Sequence, residues 1–212
     1  SRVLNLTGSG QGTLAPYALI PTPNRSHFPV GPAGDQEYGI AVSNARAERR
    51  LRNVLTLGGD LGRTQMDYSP LHESFWSAGA DATVDTRRDP TYPSDAVLTT
   101  VAWTRLNPIG ATSFGTNPVD RYRVDARGFK RLFRQNVLAV RAAYDTASAP
   151  LPQYEQWLLG GSSLRGVSAG RYAGDERFLW SAEFRAPFSS PMSVGRLGFN
   201  VFMDGGTTAF HG

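Results

Sequence analysis

The stretch GGSSLRGVSAG, Gly160 to Gly170, holds the residues whose types and spacing could do chemistry. Gly166 to Gly170 reads G-V-S-A-G, which matches the nucleophile elbow of serine hydrolases and nominates Ser168 as a nucleophile. Asp204 and His211 follow in the order acid, base. An elbow, however, needs a buried strand before the serine and a helix after it. Here the flanks are SSLRG and RYAGDERF, which are neither, so a soluble β-rich serine hydrolase stands as an alternative of another class. Metal binding has less behind it: His27, His72 and His211 sit singly with no ligand spacing, and Asp85, Asp89 and Asp95 flank a turn without the glycine of a calcium loop. No metal and no cofactor is expected. Arg165, between those glycines, is a different kind of candidate. A guanidinium keeps its charge when desolvated, bonds two acceptors at once and stacks on a ring.

What could position Arg165 follows from the segments around it. Between Phe178 and Phe188 one parity is Phe178, Trp180, Ala182, Phe184, Ala186, Phe188, and the other includes Ser181, Glu183 and Arg185. Period-two alternation of this kind makes a strand with two chemically different faces. The same pattern runs through 75–87, 119–131, 137–146 and 196–207, and more weakly through 13–21, 37–47, 53–65 and 96–106, with a partial strand at 2–7. On the strands after the arginine, Glu183 and Asp204 fall on the polar parity and Phe202 shares the face of Asp204. A loop folded inward could bring Arg165 to two carboxylates and an aromatic ring. Gly160, Gly161 and Gly166 would let it turn tightly and approach the wall.

The connections alternate too. Long links at 22–36, 66–74, 107–118 and 148–177 interleave with short ones at 48–52, 88–95, 132–135 and 189–193, so an up-and-down sheet would gather all long loops at one end. Strands of about 11 residues, tilted by ~45°, cover about 25 Å, the height of the apolar band on an outer-membrane barrel. Aromatics lie towards strand ends, as in Trp76 and Phe178, and the charges Arg121, Arg123, Asp125, Arg141, Asp145 and Asp81 keep to the polar parity, where a watery lumen would satisfy them. The fold class expected is all-β: a transmembrane antiparallel up-and-down β-barrel with nine or ten strands in this chain.

Composition agrees. The 212 residues include 23 glycines and 14 prolines, as many short elements broken by turns require, and no cysteine, which removes disulfides and thiolate metal sites. No apolar run is long enough for a transmembrane helix. The net charge of +4 comes from arginines spread along the chain among Asp and Glu rather than clustered in a patch, so no nucleic-acid partner is expected.

LGGSSLRG (Leu159 to Gly166), GDERFLWSAEFRAPF (Gly174 to Phe188), GFNVFMDGGT (Gly198 to Thr207) and DTRRDPTYP (Asp85 to Pro93) together make the sequence resemble the Omp85 superfamily, the BamA/TamA type of bacterial surface antigen. The resemblance implies a Gram-negative-type outer-membrane barrel of about sixteen strands. It also implies a long extracellular loop whose Arg-Gly motif, here Arg165 and Gly166, tucks into the lumen and meets acidic residues, here Glu183 and Asp204. Val167 stands where the family has an aromatic residue after Arg-Gly. The implied activity is non-enzymatic: assisting the insertion or translocation of other polypeptides, with the lipid bilayer, unfolded or nascent outer-membrane proteins and accessory assembly subunits as partners. A two-partner secretion pore or diffusion channel is the alternative on the same fold. Residues 1–212 read as a single β-barrel domain, incomplete at both ends, with additional chains or strands completing the wall.

Overall fold

The computed structural model describes residues 2–7, 38–51, 53–68, 71–113, 115–189 and 197–211. It is all-β. In chain order the strands are β1 (Arg2–Thr7), β2 (Tyr38–Leu51), β3 (Leu55–Tyr68), β4 (Leu71–Asp85), β5 (Ala96–Pro108), β6 (Val119–Arg131) and β7 (Val137–Ala147). The short β8 (Trp157–Leu159) and β9 (Tyr172–Gly174) follow, then β10 (Glu176–Ser189) and β11 (Leu197–Ala209). A nine-stranded antiparallel sheet takes the order β1-β2-β3-β4-β5-β6-β7-β10-β11, while β8 and β9 form a separate hairpin inside the long link. Every neighbour in the large sheet is also the next long strand in sequence, which is an up-and-down arrangement. The order is linear and not closed, as in part of a barrel wall.

Alternation in the sequence becomes two faces in space. On the outer face Leu61, Val101, Val201 and Met203 are half or more exposed, at 65%, 50%, 61% and 63%. Apolar side chains aligned in this way, with no second layer of the described residues against them, suit contact with hydrocarbon. Towards the long-loop end the same face carries Trp76, Trp103, Tyr122, Tyr144 and Phe178, all exposed. Strands β2 to β4 are 14, 14 and 15 residues long, which at ~3.3 Å per residue and ~45° tilt gives roughly 30 Å of height.

The inner face is charged and paired. Asp125 on β6 accepts Arg127 Nε at 3.1 Å and Arg141 Nη2 at 2.6 Å, and Arg46 reaches Glu48 at 2.6 Å and Asp81 at 2.7 Å. At the long-loop end this face turns apolar. Phe75, Leu106, Val119 and Ala147, one from each of β4 to β7, bury themselves against Leu151 and Trp157 of the link 148–175. Further along, Leu159 packs on Ala143 and Leu179 with Leu164 beside them. Each large side chain buried there contributes about 1.5–3 kcal/mol, so the link is seated inside the sheet by its own apolar underside.

One expectation is corrected. The segment 66–74 was expected to be a long loop, but β3 runs to Tyr68 and β4 starts at Leu71, leaving only residues 69–70 between them. The reason is inward burial: Met66 at 6%, Glu73 at 4% and Phe75 at 2% continue the inner parity through what reads as polar sequence. The expected strand at 13–21 and link at 22–36 lie outside the described residues.

Candidate lock between loop and lumen

The β8–β9 hairpin carries a glycine-rich apex, residues 160–171, over the inner face. Pairing of Trp157 with Gly174 and of Leu159 with Tyr172 fixes its two stems. The apex closes through Gly161 N–H donating to Val167 O at 2.8 Å and Ser163 Oγ donating to Gly160 O at 2.8 Å. Gly160 has φ +127° and a Cβ there would lie 2.1 Å from Ser168 O, so only glycine lets the two sides of the apex meet. Gly166 has φ +82° and reverses the chain directly after Arg165.

That reversal aims Arg165 at β10 and β11. Its Nε and Nη2 donate to the two oxygens of Asp204 at 2.7 and 2.8 Å, and its own backbone N–H donates to Asp204 Oδ2 at 3.2 Å. Nη1 donates to Glu183 Oε2 at 2.8 Å, and Arg185 Nε holds the other oxygen of Glu183 at 2.8 Å. Since Glu183 pairs in register with Phe202 and Ser181 with Asp204, the two carboxylates are diagonal neighbours across the strand pair. Only a planar fork can bond both while the guanidinium carbon lies 3.6 Å from the centroid of the Phe202 ring. Hydrogen bonds that Arg165 donates to Asp204 first, then to Glu183, hold its guanidinium above its ordinary range against the opposing effect of burial. All of Arg165, Gly166, Glu183, Asp204 and Phe202 therefore meet at one place, with Gly160 and Gly161 in the turn that delivers them. Val167 serves through its backbone: its carbonyl accepts Gly161 and its N–H donates to Leu164 O at 3.3 Å.

The hydrolase candidates are engaged elsewhere. Asp204 is occupied by Arg165, while His211 Nε2 lies 2.6 Å from Ala147 O. Turn, not helix, follows Ser168. Among the described residues no group of His, Asp and Glu is arranged to hold a metal. Asp89 instead accepts the N–H groups of Thr91 and Tyr92 in its own turn, and Asp85 bonds Arg87 at 2.9 Å. His27 lies outside the described residues.

Three acidic residues that seat the same loop escaped sequence reasoning as anchors. Asp145, 0% exposed, accepts Arg123 Nε at 2.7 Å and Arg177 Nη2 at 2.7 Å, and Arg177 Nη1 also donates to Leu158 O at 2.6 Å, so the stem of the hairpin is tied to β6, β7 and β10 together. Asp175 accepts Leu151 N–H at 2.8 Å and His211 N–H at 3.2 Å, closing the base of the link. Glu73 accepts the Tyr154 hydroxyl and the Ser113 N–H, which joins the link 109–118 to the link 148–175. Beside it Arg121 bonds Glu155 and stacks on Trp157 at 4.7 Å. Burial pushes the Glu155 carboxyl above its usual range, with Arg121 pulling the other way.

The Omp85 superfamily domain matches residues 29–212, which takes in every element from β2 to β11. No curated protein matches the chain. The chain belongs to the Omp85 superfamily, a group of outer-membrane β-barrels concerned with the insertion and translocation of polypeptides.

Proposed function

We propose that this Omp85-superfamily chain is part of the wall of an outer-membrane barrel of the BamA/TamA type, and that the barrel assists insertion or translocation of unfolded or nascent outer-membrane proteins without enzymatic chemistry. Arg165 is the lock: it holds the glycine-rich loop inside the lumen by clamping β10 to β11. The observation that carries this reading is the clamp from Arg165 to Asp204 and Glu183 at 2.7–2.8 Å, made over the Phe202 ring. Residues 1–212 act as one domain. Among the described residues β1 and β11 each pair on one side only, and an unpaired edge facing lipid is costly, so further strands join the wall at both edges.

Reconstitution tests it. The full barrel protein in phospholipid vesicles, with any accessory subunits it requires, should speed the folding of an unfolded client barrel, read as heat-modifiable migration on a gel. Arg165→Ala should slow client folding and open residues 160–171 to protease, while the barrel itself stays inserted. Its expected cost to the loop is about 2 kcal/mol, below the 3–5 of a fully buried pair because the Arg165 side chain keeps 35% of its exposure. A variant barrel that accelerates clients as well as the parent would refute the assignment.

A further inference from the structure

The wall carries a groove on its outer face near the short-turn end. Its floor is Gly128 on β6, which lies in register between Val97 of β5 and Val140 of β7. Those two valines are 47% and 45% exposed and form the sides. With no side chain at Gly128 the hollow measures about 400 Å³ and is lined mainly by carbon. A Cβ there would already come within 3.3 Å of Val140 Cγ2, so any larger side chain at this position fills it. At its mouth stands Lys130, two residues on along the same face of β6, its side chain 73% exposed and its ammonium 2.9 Å from Asp95. Cations outnumber acids at the mouth: Lys130 and Arg131 both reach Asp95, at 2.9 and 3.9 Å, so two positive charges share one carboxylate.

We propose that this groove binds one anionic phospholipid of the leaflet on the short-turn side. One acyl chain lies along β6 over Gly128 between Val97 and Val140, and the phosphate replaces Asp95 as the partner of Lys130. Hydrocarbon explains why a hollow lined by valines is open on a face directed at the bilayer, and the excess positive charge at its mouth selects an anionic over a zwitterionic headgroup. The inference rests on the reading of the outer face as lipid-facing, and the test separates the two.

The full barrel protein is inserted into vesicles of phosphatidylcholine with one fifth phosphatidylglycerol, and insertion is checked by heat-modifiable migration. Lipids retained after extraction are then counted by native mass spectrometry. The parent should retain one phosphatidylglycerol in preference to phosphatidylcholine. Lys130→Gln should lower that preference about fivefold, the effect of one basic side chain near an anionic surface. Asp95→Asn, which frees the ammonium, should raise it, and Gly128→Leu should abolish retention of either lipid. Met203→Leu, on the outer face away from the groove, should change nothing. Protein that inserts but retains both lipids equally, or variants that retain them as the parent does, would overturn the lipid site alone. Failure to insert would overturn the membrane reading and the site with it.

Discussion

Arg165 shows how much one side chain can fasten when its geometry matches its partners. It spans two carboxylates on adjacent strands and covers a ring, and lysine has no plane with which to do the same. Arg165→Lys is therefore expected to keep one carboxylate and lose the other, leaving hydrogen exchange at residues 160–171 faster than in the parent but slower than in Arg165→Ala. Asp145 should be less forgiving. It is completely buried with arginines on either side, so Asp145→Asn leaves Arg123 and Arg177 without their shared counter-charge and is expected to cost about 3 kcal/mol, measured as a lower urea midpoint of the barrel. Glu155 should behave in the opposite sense. Its carboxyl is raised by burial, so the folded state binds its proton more tightly than the unfolded chain, and the stability this gives is complete in acid and lost as pH rises through the raised value. Glu155→Gln should consequently raise the thermal midpoint at neutral pH. The gain should shrink below about pH 4, where an ordinary glutamate is protonated in both states.

At the level of elements, what the sequence makes legible depends on how purely each strand alternates. β6, β7, β10 and β11 are readable because charge and carbon keep to opposite parities, as Arg121, Arg123, Asp125 and Arg127 do on β6. β3 is blurred because Gly58, Gly59 and Gly62 put neither charge nor carbon at their positions. The start of β4 is hidden for a different reason: its inward residue Glu73 is polar, and its partners Ser113 and Tyr154 are 40 and 81 residues away. Arg165 could be matched to Glu183 and Asp204 because all three lie on or beside segments of clear parity. Asp145 lies on readable β7 and Asp175 beside β10, but their partners are arginine side chains and backbone N–H groups that no local pattern singles out. The β8–β9 hairpin is three residues a side, too short for alternation to register. Since Glu73 joins both long links, Glu73→Ala is expected to increase hydrogen exchange in 109–118 and 148–175 at the same time, which a purely local role would not do.

For the molecule as a whole, the division into a carbon face and a charged face decides where substitutions are tolerated. Val201 and Asn200 are adjacent on β11 and point to opposite sides. Val201→Arg should destabilise the inserted barrel by about 2–4 kcal/mol, whereas Asn200→Arg, beside the watery interior, should fall within about 1 kcal/mol of the parent, both read from unfolding in urea.

The order of the strands also bears on how the wall comes into being. From β2 to β7 each strand meets its partner across a connection of ten residues or fewer, so these hairpins can zip up one after another with little loss of chain entropy at each step. β10 must instead find β7 across the 28 residues from 148 to 175. The hairpin β10–β11 can form by itself, which makes its docking onto β7 the slow event in joining β2 to β11. Because Asp204, Glu183 and Phe202, which hold Arg165, all lie on β10 and β11, the loop can be fastened before that docking, and the inward-folded segment would then enter the growing wall as cargo already tied to the β10–β11 hairpin.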